Sequence, residues 1–148
     1  MIAFEAHRSA VEAWRTQRYA ALSRDIGWLT LAGLDWLKAG VNVIGANPAA
    51  DVVLPKGPGT AGTITVLGGK PHASGRFTHG GQPVRDLRLA TDQESEATML
   101  EMGSLRLCVI KRGGRLAVRT WDLASPARRD FDRIEHWPVS PVWHLEGR

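Results

Sequence analysis

Residues 105–121 read LRLCVIKRGGRLAVRTW, and this stretch decides the fold. Two runs rich in apolar residues flank Gly113-Gly114, whose glycines are suited to the positive φ angles of a tight hairpin turn. A two-residue turn sets the register of the two strands. The facing pairs are then Val109 with Val118, Leu107 with Thr120, and Arg106 with Trp121. The first two pairs are expected to build a core, and the third predicts a cation–π contact on the opposite face.

Short antiparallel strands are predicted throughout the chain after residue 27. From Trp28 onward the apolar period falls from about 3.6 residues to about 2, and glycines recur at short intervals. Strands are predicted near residues 28–31, 41–45, 51–54, 62–67, 70–74, 76–78, 82–85, 98–102, 105–111 and 115–121. No long helical pattern separates them, which disfavours a parallel sheet, because parallel strands need long crossovers.

The first 27 residues predict one helix. Ser9 and Glu12 have the spacing of a capping box, in which each side chain satisfies a main-chain N–H at a helix start. The apolar residues that share one helical face are Val11, Trp14, Ala21 and Leu22. The predicted fold is therefore all-β: an antiparallel β-sandwich at residues 28–148 with an N-terminal α-helix, residues 1–27, packed on it. A chain of 148 residues has the usual size of one domain.

The charge of the chain excludes some partners. Its net charge is +4, and residues 105–148 carry the surplus, but no run of consecutive Lys or Arg is longer than two. Nucleic-acid-binding arms concentrate such residues, so no nucleic-acid partner is expected. The apolar stretches are shorter than the roughly 18 residues of a membrane span, and no basic prelude to an apolar run opens the chain. A cytoplasmic location without membrane contact is expected.

No catalytic or metal-binding motif is present. The five histidines lack metal-ligand spacing, and Cys108 is the only cysteine and is expected in the interior of a strand. No cofactor and no metal site are therefore expected. The carboxylates that an assembled acid–base site would use are Asp35, Asp51, Asp122 and Asp130. They are expected to satisfy turns, with convergence in space as the alternative.

A set of segments resembles a known family in order and across most of the chain. The segments are Trp14-Arg15 with Arg18, residues 27–37 (GWLTLAGLDWL), Gly40 to Gly45, residues 51–55 (DVVLP), Gly62, and residues 125–131 (SPARRDF). They resemble the bacterial family called domain of unknown function 1684. Members of that family are longer, with a second half rich in Asn, Pro and Cys. If an activity of the family is housed in that second half, the resemblance implies that this chain is only a fragment of the active protein. It implies no reaction, because the family is uncharacterised.

Residues 43–55 carry a second resemblance. The run VIGANPAADVVLP is similar to the opening of forkhead-associated domains, which are β-sandwiches that bind phosphothreonine peptides. In that family an Arg follows the Gly, and a Ser-Arg-x-x-His run follows the acidic-aliphatic strand. This chain has Ala46 in the first place and residues 59–62 (GTAG) in the second. The resemblance implies a similar sandwich whose phosphate site lacks its bidentate, charge-assisted partner.

The predicted function is that of a binding module. Asn47, Lys56 and Thr60 are the candidate ligand-binding residues at the loops that follow Gly45 and Leu54, and Arg128 and Arg129 are a second candidate pair. The expected partner is a protein, a peptide or a small anion, although a salt-bridged turn also explains the arginine pair.

Two further hypotheses stay open. An enzyme, such as a hydrolase, would have a dispersed site or one completed by a missing second half. A structural half that needs a partner predicts an exposed apolar patch around Trp137 and Trp143, larger than about 600 Å².

Overall fold

The computed structural model describes residues 2–143, 145 and 147, which form two β-sheets and an N-terminal helix. The helices are α1 Ile2–Leu22 and α2 Pro126–Arg129, and Pro141–Trp143 form a 3₁₀ turn. The strands are β1 Leu31–Trp36, β2 Gly40–Gly45, β3 Val52–Val53, β4 Gly62–Leu67, β5 Lys70–Gly75, β6 Thr78–His79, β7 Gln82–Pro83, β8 Leu87–Arg88, β9 Leu100–Met102, β10 Leu105–Arg112 and β11 Arg115–Asp122. The predicted class, mostly β with two sheets and one N-terminal helix, is confirmed.

The strands divide into a six-stranded and a five-stranded sheet. The first sheet has the order β1-β11-β10-β9-β6-β7, and the second has the order β3-β2-β4-β5-β8. Every pair is antiparallel except β2 and β3, which run parallel at Ile44 and Val52. That exception departs from the predicted antiparallel pattern. Only two residues of β3 take part in this pairing. A loop is therefore enough to connect β2 to β3, whereas a longer parallel pair would need a crossover connection.

The hairpin of β10 and β11 has the predicted register. Val109 pairs with Val118 and Leu107 pairs with Thr120. Leu107, Val109 and Val118 are fully buried in the core between the sheets. That core also contains Ile44, Val52, Ile64, Ala73, Phe77, Leu89 and Leu100.

The predicted cation–π contact of this hairpin is wrong, although Arg106 does pair with Trp121 across the strands. The Arg106 guanidinium donates instead two hydrogen bonds of 2.8 Å, to the main-chain oxygens of Gly103 and Leu105. These two hydrogen bonds hold it at the turn before β10. Arg115 does stack on an indole, with its guanidinium carbon 4.1 Å from the centre of the Trp36 ring.

The first strand starts later than predicted, at Leu31 rather than Trp28. The Thr30 hydroxyl accepts a hydrogen bond of 3.2 Å from the Gly27 N–H. It donates one of 2.7 Å to the Asp25 main-chain oxygen. A buried Thr30 with these bonds holds a turn, and Trp28 projects from it with 77% of its surface exposed. Local side-chain bonding of this kind competes with strand pairing.

Helix α1 does not pack on the sandwich as predicted. None of its side chains from residue 3 to residue 22 is buried. Its long-range contacts run instead to the segment after α2, as the next section describes. Ser9 lies inside the helix rather than at its start, and Glu12 pairs with Arg8 over 3.1 Å, so the predicted capping box is wrong. Within the described part of the chain, no helix is long and apolar enough to cross a membrane.

Candidate binding groove

Residues 131–143 and 145, here called the C-terminal segment, lie along helix α1 and are held there at two points. The rings of Tyr19 and Phe131 stack with their centres 5.3 Å apart. Further along, Arg15 Nη2 donates a hydrogen bond of 2.7 Å to the main-chain oxygen of Trp137. Arg15 and Tyr19 are four residues apart and so project from the same side of the helix. Helix α1 and the C-terminal segment therefore meet outside the sandwich.

The contact leaves an open groove of about 770 Å³ between the helix and the C-terminal segment. Its apolar lining comes from Phe4, Val11, Trp137, Val139, Trp143 and Leu145. The two indole rings lie 6.4 Å apart at an angle of 56°, and Trp137 and Trp143 are 80% and 64% exposed. Pro138 and Pro141 keep this part of the segment out of regular helix, because proline lacks the N–H that a helix interior needs.

A second, smaller pocket of about 280 Å³ adjoins the groove and shares Arg15 with it. Its other lining residues are Thr16, Tyr19, Arg133, Ile134 and His136. Of the carboxylates that the structure describes, that of Glu135 lies nearest to Arg133, 3.9 Å away, and both side chains are largely exposed. Among the described residues, no Asp or Glu lines either the groove or this pocket. The apolar groove thus has a cationic end.

The three predicted loop residues lie at one end of the sandwich, where the loops after β2 and β3 touch. The Asn47 N–H donates a hydrogen bond of 3.2 Å to the main-chain oxygen of Gly59, the residue before Thr60. This bond joins the loop after β2 to the loop after β3. The Asn47 side-chain oxygen accepts the Ala49 N–H over 2.9 Å and so closes its own turn. Thr60 is exposed.

Lys56, the third of these residues, is bound to a carboxylate of the other sheet. Its Nζ lies 2.8 Å from Asp122 Oδ2 at the end of β11. Asp122 also accepts hydrogen bonds from the Ser104 hydroxyl, over 2.7 Å, and from the Ala124 N–H, over 3.0 Å. Burial acts to raise the pKa of Asp122, but these three partners together hold it below its usual range. The charge that this loop offers to an anion is therefore already paired.

Arg128 and Arg129 are also paired within the chain. Arg128 donates to the Ser23 main-chain oxygen and to the Asp25 carboxylate, which ties α2 to the turn after α1. Arg129 binds the neighbouring Asp130 over 2.9 Å. Both arginines line an open pocket of about 400 Å³ with residues 123–125. These contacts make the salt-bridged turn that the sequence offered as the alternative for this pair.

The four carboxylates considered for acid–base chemistry have separate partners. Asp51 accepts the Val43 N–H over 2.8 Å and binds Lys38, and these bonds lower its pKa. Burial raises the pKa of Asp35, which a hydrogen bond with the Val53 N–H partly offsets. Asp122 and Asp130 bind Lys56 and Arg129 as described above. Across the described residues, no group of three or more His, Cys, Asp or Glu side chains is placed to hold a metal ion.

The groove was only partly accessible to sequence reasoning. The sequence predicts an exposed apolar patch around Trp137 and Trp143, and the structure places both residues at the rim of the groove. The helical wall and the cationic end were missed because they depend on contacts between residues more than a hundred positions apart. A usable signal was the cluster of prolines and tryptophans at residues 137–143, which is apolar yet lacks any strand or helix period.

Comparison with known proteins adds no relative: no family model, no curated protein and no solved structure matches the chain.

Proposed function

We propose that this chain is a protein-interaction module whose binding surface is the groove between α1 and the C-terminal segment. The observation that carries the proposal is the exposure of Trp137 and Trp143, at 80% and 64%, on the rim of a concave apolar surface. Large apolar side chains grouped in this way mark interaction sites, and tryptophan is enriched among the residues that dominate binding energy. Val142 and Leu145 extend the same surface, at 79% and 90% exposed.

A protein segment fits this surface better than a small molecule. A ligand within the groove would cover its floor but leave the outward faces of Trp137, Val142 and Leu145 in water. An extended or helical segment laid along α1 would bury both the floor and these faces, as in helix-in-groove recognition. The loop end of the sandwich is less suited to binding, because the side chains of Lys56, Arg128 and Arg129 already have carboxylate partners.

The proposal keeps a forkhead-associated-like sandwich, and membership of the domain of unknown function 1684 family, as inferences from the sequence. Two facing sheets and the contact between the loops after β2 and β3 support the first. In this proposal phosphopeptide recognition is degenerate, because Ala46 stands where the family has its Arg and Lys56 is paired with Asp122.

Selection from a displayed library of random 12-residue peptides tests the function. Peptides enriched on the wild-type chain are expected to lose at least about tenfold in affinity for Trp143→Ala, a difference of about 1.4 kcal/mol. Trp28→Ala is the matched control, because Trp28 is also largely exposed, at 77%, but lies outside the groove. Circular dichroism establishes that both variants are folded. Equal binding to both variants, or no enrichment at all, would contradict the function.

A further inference from the structure

We infer that the partner segment is acidic, with a carboxylate seated in the pocket of Arg15, Arg133 and His136 while its apolar side chains fill the groove. This inference rests on the proposed function and specifies the chemistry of the partner. It follows from the continuity of the two cavities: Arg15 lines both, so one bound segment reaches from the tryptophans to the cationic end.

The cationic end has hydrogen-bond donors to offer. The guanidinium of Arg15 uses Nη2 for the Trp137 main-chain oxygen, and a guanidinium has five N–H donors in all. Arg133 faces Glu135 at 3.9 Å, beyond hydrogen-bond distance, and an exposed pair of this kind contributes little. A carboxylate that approaches both arginines would form charge-assisted hydrogen bonds, which are shorter and stronger than neutral ones.

The charges that line the groove and the pocket determine the sign of the charge expected on the partner. The described lining of the groove and the pocket contains Arg15, Arg133, His7 and His136 and no acidic side chain. Arg18 adds a further positive charge to helix α1, three residues after Arg15, with its guanidinium 5.6 Å from the centre of the Trp14 ring. A basic segment would meet like charges here, whereas an acidic one would be steered toward the site.

The shape favours a protein segment over a lipid surface. Tryptophan and arginine are also common at membrane interfaces, but a flat bilayer would contact only the rims of a concave groove. The volume of about 770 Å³ behind those rims is reached by side chains that project from a peptide. Vesicle binding is therefore an outcome that the test must include.

The experiment uses peptides selected on the full chain. We expect them to combine large apolar residues with at least one Asp or Glu, and to lose about fivefold to tenfold in affinity when that acid is replaced by its amide. Arg133→Gln should cause a similar loss, and the two changes together should cost little more than either alone. Arg85→Gln is the matched control, with the same charge change at an exposed residue outside both cavities.

Each result has a separate meaning. Neutral selected peptides that still need Trp143 would overturn this inference and leave the proposed function standing. Peptides insensitive to Trp143→Ala would overturn both. A loss of affinity at Arg85→Gln equal to that at Arg133→Gln would show non-specific attraction and overturn the inference. Preferential binding to vesicles of phosphatidylcholine and phosphatidylglycerol, with no peptide enriched, would replace the protein partner by a membrane.

Discussion

Arg15 Nη2 lies 2.7 Å from the main-chain oxygen of Trp137, a hydrogen bond between residues 122 positions apart. It is the contact that fixes the C-terminal segment against the middle of α1. The stacking of Tyr19 on Phe131 fixes the same segment nearer its start. Because the helix has no buried side chain between residues 3 and 22, the groove depends on a few exposed contacts rather than on a core.

Replacing Arg15 by Met should open the groove without unfolding the sandwich. The amides of residues 137–143 are expected to exchange hydrogen faster, because the bond that holds this part of the segment is lost. The free energy of unfolding should change by less than about 1 kcal/mol, since the contact is exposed. Hydrogen exchange with mass spectrometry measures the first effect and urea titration the second. Arg18→Met is the control one turn away, and equal exchange in both variants would contradict the role of Arg15.

Asp122 and Lys56 should contribute unequally to stability although they form one ion pair. Asp122→Ala removes the partner of Lys56, the Ser104 hydroxyl and the Ala124 N–H together, and should lower the free energy of unfolding by about 2 to 3 kcal/mol. Lys56→Met should cost less than about 1 kcal/mol, because the Lys56 side chain is 46% exposed. Urea titration of both variants measures the difference, and equal losses would show that the ion pair alone decides stability here.

Gly45 should not tolerate even a methyl group. A Cβ at this position would lie 1.9 Å from the Gly59 main-chain oxygen, where the loop after β3 crosses β2. Because that atom belongs to the backbone, Gly45→Ala must displace the loop and should cost about 3 kcal/mol. Gly33→Ala is the control, since its Cβ would meet nothing closer than Asp35 Oδ2 at 3.7 Å. We expect the control to change stability by less than about 1 kcal/mol; a thermal melt of each variant compares them.

The sequence predicts this fold well wherever a tight turn determines the pairing. The Gly113-Gly114 turn allows one register, so the partners of Val109 and Leu107 follow from counting. The prediction fails where a side chain forms hydrogen bonds with main-chain atoms a few residues away in the sequence. Thr30 holds a turn instead of extending a strand, and Arg106 binds main-chain oxygens instead of an indole. Apolar alternation contains no information about such bonds.

The candidate groove is harder to predict than the sheets, because the sequence of neither wall contains a pattern that indicates the other wall as its packing partner. The apolar face of α1 predicts packing on the sandwich. The structure instead lays the C-terminal segment against the helix, with Phe131 on Tyr19 and Trp137 on Arg15. A contact between the two ends of a chain is visible only once the sheets have brought those ends together.

Acid should weaken the protein partly through Glu94. Its carboxylate accepts the Thr91 N–H over 2.8 Å and binds Arg88 over 2.7 Å, and these bonds lower its pKa from 4.5 to about 2. A depressed pKa contributes stability that is complete above about pH 4.5 and disappears as the pH falls through about 2. Urea titrations at pH 6, 4 and 3 should show a smaller loss for Glu94→Gln than for the wild type. Glu96→Gln, in the same loop, should lose stability like the wild type; an equal loss in all three proteins would contradict the role of Glu94.

Cys108 should be inert toward thiol reagents in the folded protein. It is 5% exposed on the outer face of the first sheet, packed with Ile110, Ala117 and Trp121. Burial raises its pKa from 9.0 to about 11, so that at pH 8 about a thousandth of the thiol is ionised instead of about a tenth. Labelling with a disulfide reagent at pH 8 should therefore be at least about a hundredfold slower than in guanidinium chloride, where one thiol per chain reacts. Rapid labelling of the native chain would mean that the strand pair opens, because only the thiolate attacks and only an exposed sulfur is reached.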